Sequence, residues 1–522
     1  MDHQPAPPVI ARTIGVGRPT RWAKVIDQTR CIGCHACTTA CKSENQVPLS
    51  VTRTFVKSVD VGTFPHARRA FQVTRCNQCA DAPCVAACPT GAMFSRPDGI
   101  VDFDKRACIG CKACIAACPY DAIFINPDDH CAEKCNFCAH RLELGLEPAC
   151  VVVCPTQAIM VGDLNDPGSA VSKIVNREPV AVRRPEKGTR PTLFYKGATQ
   201  ATLDPLAAAR PTGDTYAWAQ QPSGRHVVQG PTAARSSSAA AVISYDVAHR
   251  APWDWRVSAY TLTKGIAAGA YLVPLLLVLT GRLAAGSALW VWTAPLVATL
   301  FLAVTAGLLV WDLEQPRRFY LILTRPQWRS WLVRGGVALA GYAGVLGIHL
   351  LAGVLGAGGL RAAAAVAGLP LAVLTAVYTA YLFAQAKGRD LWQSPLLAPH
   401  FAVQAILAGA AVTLPVAIWH GDTGPARALG WLVAAAALAH LLFVLGEATL
   451  PHATAHAGLA AQSMVSGRYR GFFWTGLGLA GLGLLAPLPG GWLAVPVAAA
   501  ALVGAGLHEH AYVQAGQSVP LG

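Results

Sequence analysis

Two runs of cysteine, Cys31-Cys34-Cys37-Cys41 and Cys108-Cys111-Cys114-Cys118, share the spacing C-x2-C-x2-C-x3-C. Thiolates at that spacing hold iron-sulfur cubanes: three ligands converge from one tight loop, and the last cysteine of the run reaches a different cluster. Such runs therefore need partners. Two looser groups supply them, Cys76, Cys79, Cys84 and Cys88, then Cys135, Cys138, Cys150 and Cys154. Four groups of four predict four [4Fe-4S] clusters. The repeats Cys88-Pro-Thr-Gly-Ala92, Cys118-Pro-Tyr-Asp-Ala122 and Cys154-Pro-Thr-Gln-Ala158 show one small unit used again, each proline turning the chain away from a cluster. Zinc sites use paired C-x2-C knuckles, and neither zinc nor a disulfide framework explains the two longer runs. Cys131, the seventeenth cysteine, fits no group and is expected to be a buried structural thiol.

These ligands occupy one compact stretch, since every cysteine lies between Cys31 and Cys154 of the 522 residues. Hydrophobic residues make up 53% and charged residues only 13%, and Ala, Leu, Gly and Val dominate the second half, which is the composition of a membrane bundle. The expected division is an iron-sulfur domain over 1–197, a flexible linker over 198–255, a transmembrane domain over 256–512 and a tail over 513–522. The linker reading rests on Ala, Pro, Gly, Ser, Gln and Thr with weak periodicity, as in Ala234-Arg235-Ser236-Ser237-Ser238. Eight apolar spans follow, at 258–280, 289–311, 333–356, 362–384, 400–420, 428–447, 471–487 and 492–508. Pro487, Pro489 and Gly490-Gly491 leave the last two short. Trp290, Trp292, Trp311, Trp419, Trp431 and Trp474 fall near span ends, where interfacial indoles are favoured. The fold class is thus an α+β, ferredoxin-like double [4Fe-4S]2 domain followed by an all-α bundle of eight transmembrane helices.

The net charge of +14 does not point to nucleic acid, because the basic residues neither cluster into one run nor interleave with aromatics. They flank the apolar spans instead. Loops after spans 2, 4 and 6 carry Arg317, Arg318, Arg325, Arg329, Arg334, Lys387, Arg389, Arg468 and Arg470, against Arg282, Arg361 and Arg427 in the others. That asymmetry places the even-numbered loops in the cytoplasm. Arg12 and Arg18 form no adjacent pair ahead of an apolar stretch, and Arg68-Arg69 lies inside the cysteine region, so no export signal is expected. The expected location is the inner (cytoplasmic) membrane, multi-pass, with the iron-sulfur domain on the cytoplasmic side.

From Arg21 to Lys196 the cysteine pattern resembles the four-cluster electron-transfer subunits of molybdopterin oxidoreductases, such as dimethyl sulfoxide, polysulfide and nitrate reductases. That resemblance implies the cluster sets Cys31, Cys34, Cys37 with Cys154; Cys41 with Cys135, Cys138, Cys150; Cys76, Cys79, Cys84 with Cys118; and Cys88 with Cys108, Cys111, Cys114. Some relatives replace a cysteine of the third group and hold a three-iron cluster, whereas Cys111 is present here. The segments Asp312–Phe319 (DLEQPRRF), Arg325–Trp331 (RPQWRSW), Gln385–Trp392 (QAKGRDLW) and Ala511–Leu521 (AYVQAGQSVPL) make the second half similar to the NrfD and PsrC type of eight-helix anchor. A catalytic subunit carrying molybdopterin and a membrane quinone, ubiquinone or menaquinone, are the partners this implies, alongside membrane lipid.

No residues in the chain look able to hold molybdenum, so no catalytic residue is expected and the substrate belongs to the partner. The cytoplasmic orientation favours a sulfite dehydrogenase-like or phenylacetyl-CoA:acceptor oxidoreductase-like complex. The alternatives are a subunit of an exported dimethyl sulfoxide or polysulfide reductase, or a haem-linked anchor using His349 and His440. Quinone reduction takes two electrons and two protons, so its pocket needs hydrogen-bond partners and a proton relay. The expected residues are Lys264 on span 1; Tyr378, Tyr381 and Gln385 at i, i+3 and i+7 on span 4; His400 and Gln404 opening span 5; and His440 with Glu447 on span 6, near Asp312 and Glu314. In the resembled family a tyrosine on the fourth helix and polar residues on the first contact quinone, which Tyr378 and Lys264 match most nearly.

Overall fold

The computed structural model describes residues 19–62, 65–209, 241–247 and 249–521. They form two compact units, one running to Arg250 and taking in the chain from Pro520, the other Ala251–Val519.

The first unit is built from short elements, because closely spaced cysteine loops leave little room for long ones. Its strands are β1 (Trp22–Asp27), β2 (Thr54–Val61), β3 (Arg68–Arg75), β4 (Met93–Ser95), β5 (Val101–Phe103), β6 (Ile123–Ile125), β7 (Ala132–Lys134), β8 (Ile159–Asp163), β9 (Val180–Ala181), β10 (Leu193–Lys196) and β11 (Ala241–Tyr245). Its helices are α1 (Ala36–Glu44), α2 (Pro83–Ala87), α3 (Ala113–Ala117), α4 (Ala139–Glu143), α5 (Ala149–Val152), α6 (Ala170–Arg177) and α7 (Gln200–Leu203). One sheet has the order β8-β1-β10-β9, with β1 antiparallel to β8 and parallel to β10. A second runs β11-β2-β3, and β4-β5 and β6-β7 are hairpins. Helices α1 and α3 each begin inside a C-x2-C-x2-C-x3-C run, so the runs fold as two copies of one device.

The stretch expected as a linker is folded at both of its ends. Helix α7 stands near its start, and β11 pairs antiparallel with β2 from Ala241 opposite Val61. Ala241 and Ile243 are buried with Val59, Val61, Ala201 and Ala208. Only five residues carry this alternation, too few for a periodicity reading to separate from coil. The intervening 210–240, including Ala234-Ser238, lies outside the described residues.

The second unit is a helical bundle: α8 (Trp255–Leu279), α9 (Ala294–Trp311) entered through a π-helical turn at Leu289–Thr293, α10 (Leu321–Thr324), α11 (Trp331–Val354), α12 (Gly358–Ala384), α13 (Leu397–Trp419), α14 (Thr423–Thr449), α15 (Ala455–Val465), α16 (Arg470–Leu482) and α17 (Ala494–Gly516). Among the described residues seven helices are long and apolar enough to cross a membrane. They correspond to seven of the eight expected spans. The remaining span, 471–487, is the 13-residue α16 prolonged by a 3-10 turn, Gly483–Leu485, and stopped by the proline-glycine stretch after it. The final helix runs on to Gly516, so the expected tail from 513 begins inside it.

Small residues set the closest helix approach. A Cβ on Gly269 would lie 1.8 Å from the Ala405 carbonyl oxygen, and one on Gly409 2.1 Å from that of Gly269, so α8 and α13 meet backbone to backbone. Outward-facing Leu300, Val354, Val366 and Leu442 are exposed, as lipid contact requires. Trp292, Trp311, Trp419, Trp431 and Trp474 are exposed near helix ends, but Trp290 is not an interfacial residue. It is buried against Tyr271 and His349, because the π-helical turn rotates it into the bundle.

Candidate functional site

In each of the four cysteine groups, the residue before the second cysteine adopts a left-handed backbone: Gly33 (φ 69°), Gln78 (46°), Gly110 (69°) and Phe137 (67°). The residues Gly91 (67°), Asp121 (50°) and Gln157 (51°) do the same after each Cys-Pro. Alternating backbone hands turn successive N–H groups into one concavity, which binds anions. At Gly33 a side chain is also excluded sterically, since a Cβ would lie 2.3 Å from the Phe71 ring. Backbone amides already donate to sulfur at Met93 to Cys88 (3.4 Å), Ala132 to Cys108 (3.4 Å) and Ala158 to Cys154 (3.2 Å).

The thiols gather into neighbourhoods that mix distant parts of the chain. Cys154 stands beside Cys31 and Cys37; Cys135, Cys138 and Cys150 beside Cys41; Cys118 beside Cys79 and Cys84; Cys88 beside Cys108 and Cys114. Neighbourhoods also influence one another electrostatically, through Cys37 with Cys150, Cys76 with Cys135, and Cys84 with Cys88 and Cys114. All 17 cysteines are free thiols. Among the described residues no three cysteine sulfurs come within 4.8 Å of one another, so no neighbourhood is drawn in around a single ion. A tetrahedral zinc site at about 2.3 Å per Zn–S bond would hold its sulfurs closer than that.

Charge fits an iron-sulfur cluster. Arg75 is buried with one guanidinium nitrogen 3.0 Å from Cys150 Sγ, while its Nε and Nη2 have no protein partner. Lys24 approaches the same sulfur at 3.8 Å, and Lys134, wholly buried and donating to the Val101 and Cys135 carbonyl oxygens, favours the thiolate of Cys76. Buried cations require anions, and thiolates bearing a cluster supply them. Burial pushes Cys37 up to about 11 and Cys41 to about 12; at Cys150 burial pulls the same way, but Arg75 and Lys24 bring it down to about 7. Cys131 is a buried thiol that donates to the Lys105 carbonyl oxygen at 3.4 Å.

In the bundle the eight quinone-pocket candidates separate into three places. Lys264 is buried and donates to the Ala376 carbonyl oxygen and Thr379 Oγ1, each at 2.8 Å, with its ammonium over the rings of Tyr378 (5.0 Å) and Phe401 (4.7 Å). Tyr381 and Gln385 are elsewhere. Tyr381 is exposed and stacks on Trp331 at 4.4 Å, while the Gln385 side chain accepts from Trp331 N and donates to the Arg329 carbonyl oxygen. The three positions on α12 span an arc of roughly 60°, and that arc straddles the edge between core and outer surface.

The third place holds His400, Gln404, His440 and Glu447. His400 Nε2 and His440 Nδ1 share a hydrogen bond of 2.8 Å. His400, Phe443, Glu447 and Tyr512 line a small cavity. Tyr512 donates to the Leu391 carbonyl oxygen at 2.8 Å, and Arg389 to those of Gln517 and Val519, so the segments 385–392 and 511–519 brace one end of this cavity together. His349 belongs to a separate cluster, bonded to Tyr271 at 3.0 Å, and does not face His440.

Sequence reasoning missed His508, Glu509 and Tyr512 on α17, and Thr261 on α8, whose hydroxyl donates to Glu509 Oε2 at 2.7 Å. The signal was present: His508-Glu509-His510 is an ionisable triplet inside an apolar span, which marks function by default.

Comparison with known proteins matches three segments. Residues 22–43 fit a 4Fe-4S binding domain, 68–164 a 4Fe-4S dicluster domain, and 245–515 the family described as polysulphide reductase, NrfD. The protein NrfC homolog of Haemophilus influenzae is 46% identical over 191 residues, 36% of this chain and 85% of the relative. A tetrathionate reductase subunit of Salmonella typhimurium is 44% identical over 194 residues, 36% of this chain and 76% of its own. A polysulfide reductase chain of Wolinella succinogenes is 43% identical over 177 residues, 33% of this chain and 93% of its own.

Proposed function

Because this chain belongs to the polysulphide reductase NrfD family and carries 4Fe-4S domains ahead of that bundle, we propose that it is the electron-transfer and membrane-anchor subunit of a molybdopterin oxidoreductase complex. Electrons pass through four [4Fe-4S] clusters between a catalytic subunit on the cytoplasmic side and a quinone in the cytoplasmic membrane. The observation that carries this reading is the series of thiol neighbourhoods drawn from distant parts of the chain and coupled electrostatically to one another. The cluster sets are those of the resemblance: Cys31, Cys34, Cys37, Cys154; then Cys41, Cys135, Cys138, Cys150; then Cys76, Cys79, Cys84, Cys118; then Cys88, Cys108, Cys111, Cys114.

Each cluster, when bound, carries one electron at a time. The protein supplies the rest. Arg75, Lys24 and Lys134 offset the negative charge of the thiolate sites and make an added electron less costly. At the quinone end, Glu447 opens on the cavity beside His400 and Tyr512, so a carboxylate and an imidazole stand where two protons must arrive for two electrons. Phe443, stacked on His400 at 5.1 Å between ring centroids, gives the quinone ring an apolar wall.

A cytoplasmic module suits a sulfite dehydrogenase-like or phenylacetyl-CoA:acceptor oxidoreductase-like complex. The second reading is a polysulfide- or tetrathionate-reductase-like complex, the class that the names of the relatives print, with its module on the exported side. Alkaline phosphatase fused within Asp312–Arg334 separates them: an inactive fusion supports the cytoplasmic side, and an active one moves the clusters outside. The function itself is tested on the purified complex with Glu447→Gln. Quinone-linked turnover should fall by about 100-fold while dye-linked turnover of the catalytic partner and iron content stay the same. Equal quinone kinetics in wild type and variant would move the pocket, and absence of any large co-purifying subunit would remove the complex.

A further inference from the structure

His400, His440 and His508 come from three different helices, α13, α14 and α17, and each is at least nine-tenths buried. One ring nitrogen of each lies within 4.8 Å of the others, the sole such grouping of His, Cys, Asp or Glu among the described residues. Ring centroids are 5.0 Å apart for His400 and His440, 5.5 Å for His400 and His508, and 5.2 Å for His440 and His508.

The hydrogen bonds of this group do not close. His400 Nε2 and His440 Nδ1 satisfy each other, but His440 Nε2 and both nitrogens of His508 are buried without a protein partner. Gln404 Oε1, one turn along α13 from His400, is also without one. Whichever tautomers are chosen, lone pairs or N–H groups face an interior that offers them nothing. Buried polar groups in an apolar bundle are retained at a cost, and the usual reason is a ligand.

Three neutral imidazoles converging from separate helices are the donor set of a borderline first-row transition-metal ion with one position left over. A dication there needs nearby negative charge, and Glu447 lines the cavity that His400 also lines. We propose that His400, His440 and His508 bind a single transition-metal dication of the zinc class within the membrane bundle, tying α13, α14 and α17 together. The His400–His440 hydrogen bond is then the metal-free arrangement: ligation needs only that the shared proton move to the nitrogen facing away from the ion. The site stands apart from the cysteine module but shares His400 and the Glu447 cavity with the quinone reading, so its test is read on zinc and not on turnover.

The test uses the full chain purified anaerobically in detergent, treated with chelator, exposed to zinc alone and dialysed. Wild type should retain about one zinc ion that His508→Leu and His508→Gln do not, with iron content equal in all three as the check on folding. X-ray absorption at the zinc edge should show nitrogen or oxygen ligands at about 2.0–2.1 Å with an imidazole pattern. Zinc held through sulfur at about 2.3 Å belongs to vacated cluster cysteines and overturns the proposal. Equal zinc retention in wild type and both His508 variants overturns it as well. Because absorption is read on wild type, a variant that fails to fold leaves that measurement decisive, and quinone turnover plays no part in it.

Discussion

The two halves of this chain bury charge by opposite means. In the cysteine module Arg75 and Lys24 are sunk against the Cys150 sulfur, and two of the Arg75 nitrogens have no protein partner. In the bundle Lys264 is already provided for, with a carbonyl, a hydroxyl and two aromatic faces, and Glu509 has the Thr261 hydroxyl. The module is thus organised around something the polypeptide does not contain, and the bundle mostly around itself. Losing a cluster should therefore damage the first half far more than losing one polar contact damages the second.

The hardest blow to that comparison would be struck at a shared ligand. Cys118→Ser should remove about four of about sixteen irons and stop transfer along the module; iron analysis with low-temperature EPR reads it, and undiminished iron would refute the assignment. In the bundle, Gly335→Ala puts a methyl where the Tyr378 ring lies 2.3 Å away, so Tyr378 must shift over Lys264. If this second place, apart from the Glu447 cavity, also serves the quinone, quinone-linked turnover should drop on the order of tenfold with iron unchanged, since displacements of this size misplace reacting groups. Normal turnover would show that Tyr378 is only packing.

A finer probe is Arg75→Met. Removing a buried unit charge near a cluster costs its reduced form roughly 2 kcal/mol at an effective dielectric near 20, which lowers one potential on the order of 100 mV. Redox titration followed by EPR would detect it, and an unmoved set of potentials would mean Arg75 serves the fold alone. The smallest effect concerns His249, bonded to Asp121 and Asp246. Burial opposes its protonation, but the two carboxylates win and raise it to about 9. A folded value above the unfolded one means the stabilisation is complete below pH about 6.5 and is lost as pH rises through about 9. Thermal melts across that window should fall in wild type and stay flatter in His249→Gln.

The sequence was most readable where ligands follow each other within a loop. Cysteine spacing located the metal module and most of the bundle's helices followed from hydropathy, because both signals are local. Tyr378, Tyr381 and Gln385 were grouped by helical arithmetic, yet only packing decides which side of a roughly 60° arc is core. The convergence of His508 from the last helix onto His400 and His440 is a matter of tertiary arrangement that no spacing encodes. Strand β11 escaped for another reason: five residues of alternation inside a Pro- and Ser-rich stretch do not rise above coil.

The electrostatic couplings Cys37–Cys150, Cys76–Cys135 and Cys84–Cys88 join the thiol neighbourhoods end to end. Such an arrangement behaves as resistors in series do. Along a series path the largest resistance dominates the end-to-end current, and improving a lesser one changes little. Oxidative damage is then unevenly dangerous: Cys34 is exposed and Cys31 and Cys154 are half-buried, so the first neighbourhood meets solvent while the two interior ones do not. The circuit is only as durable as that terminal.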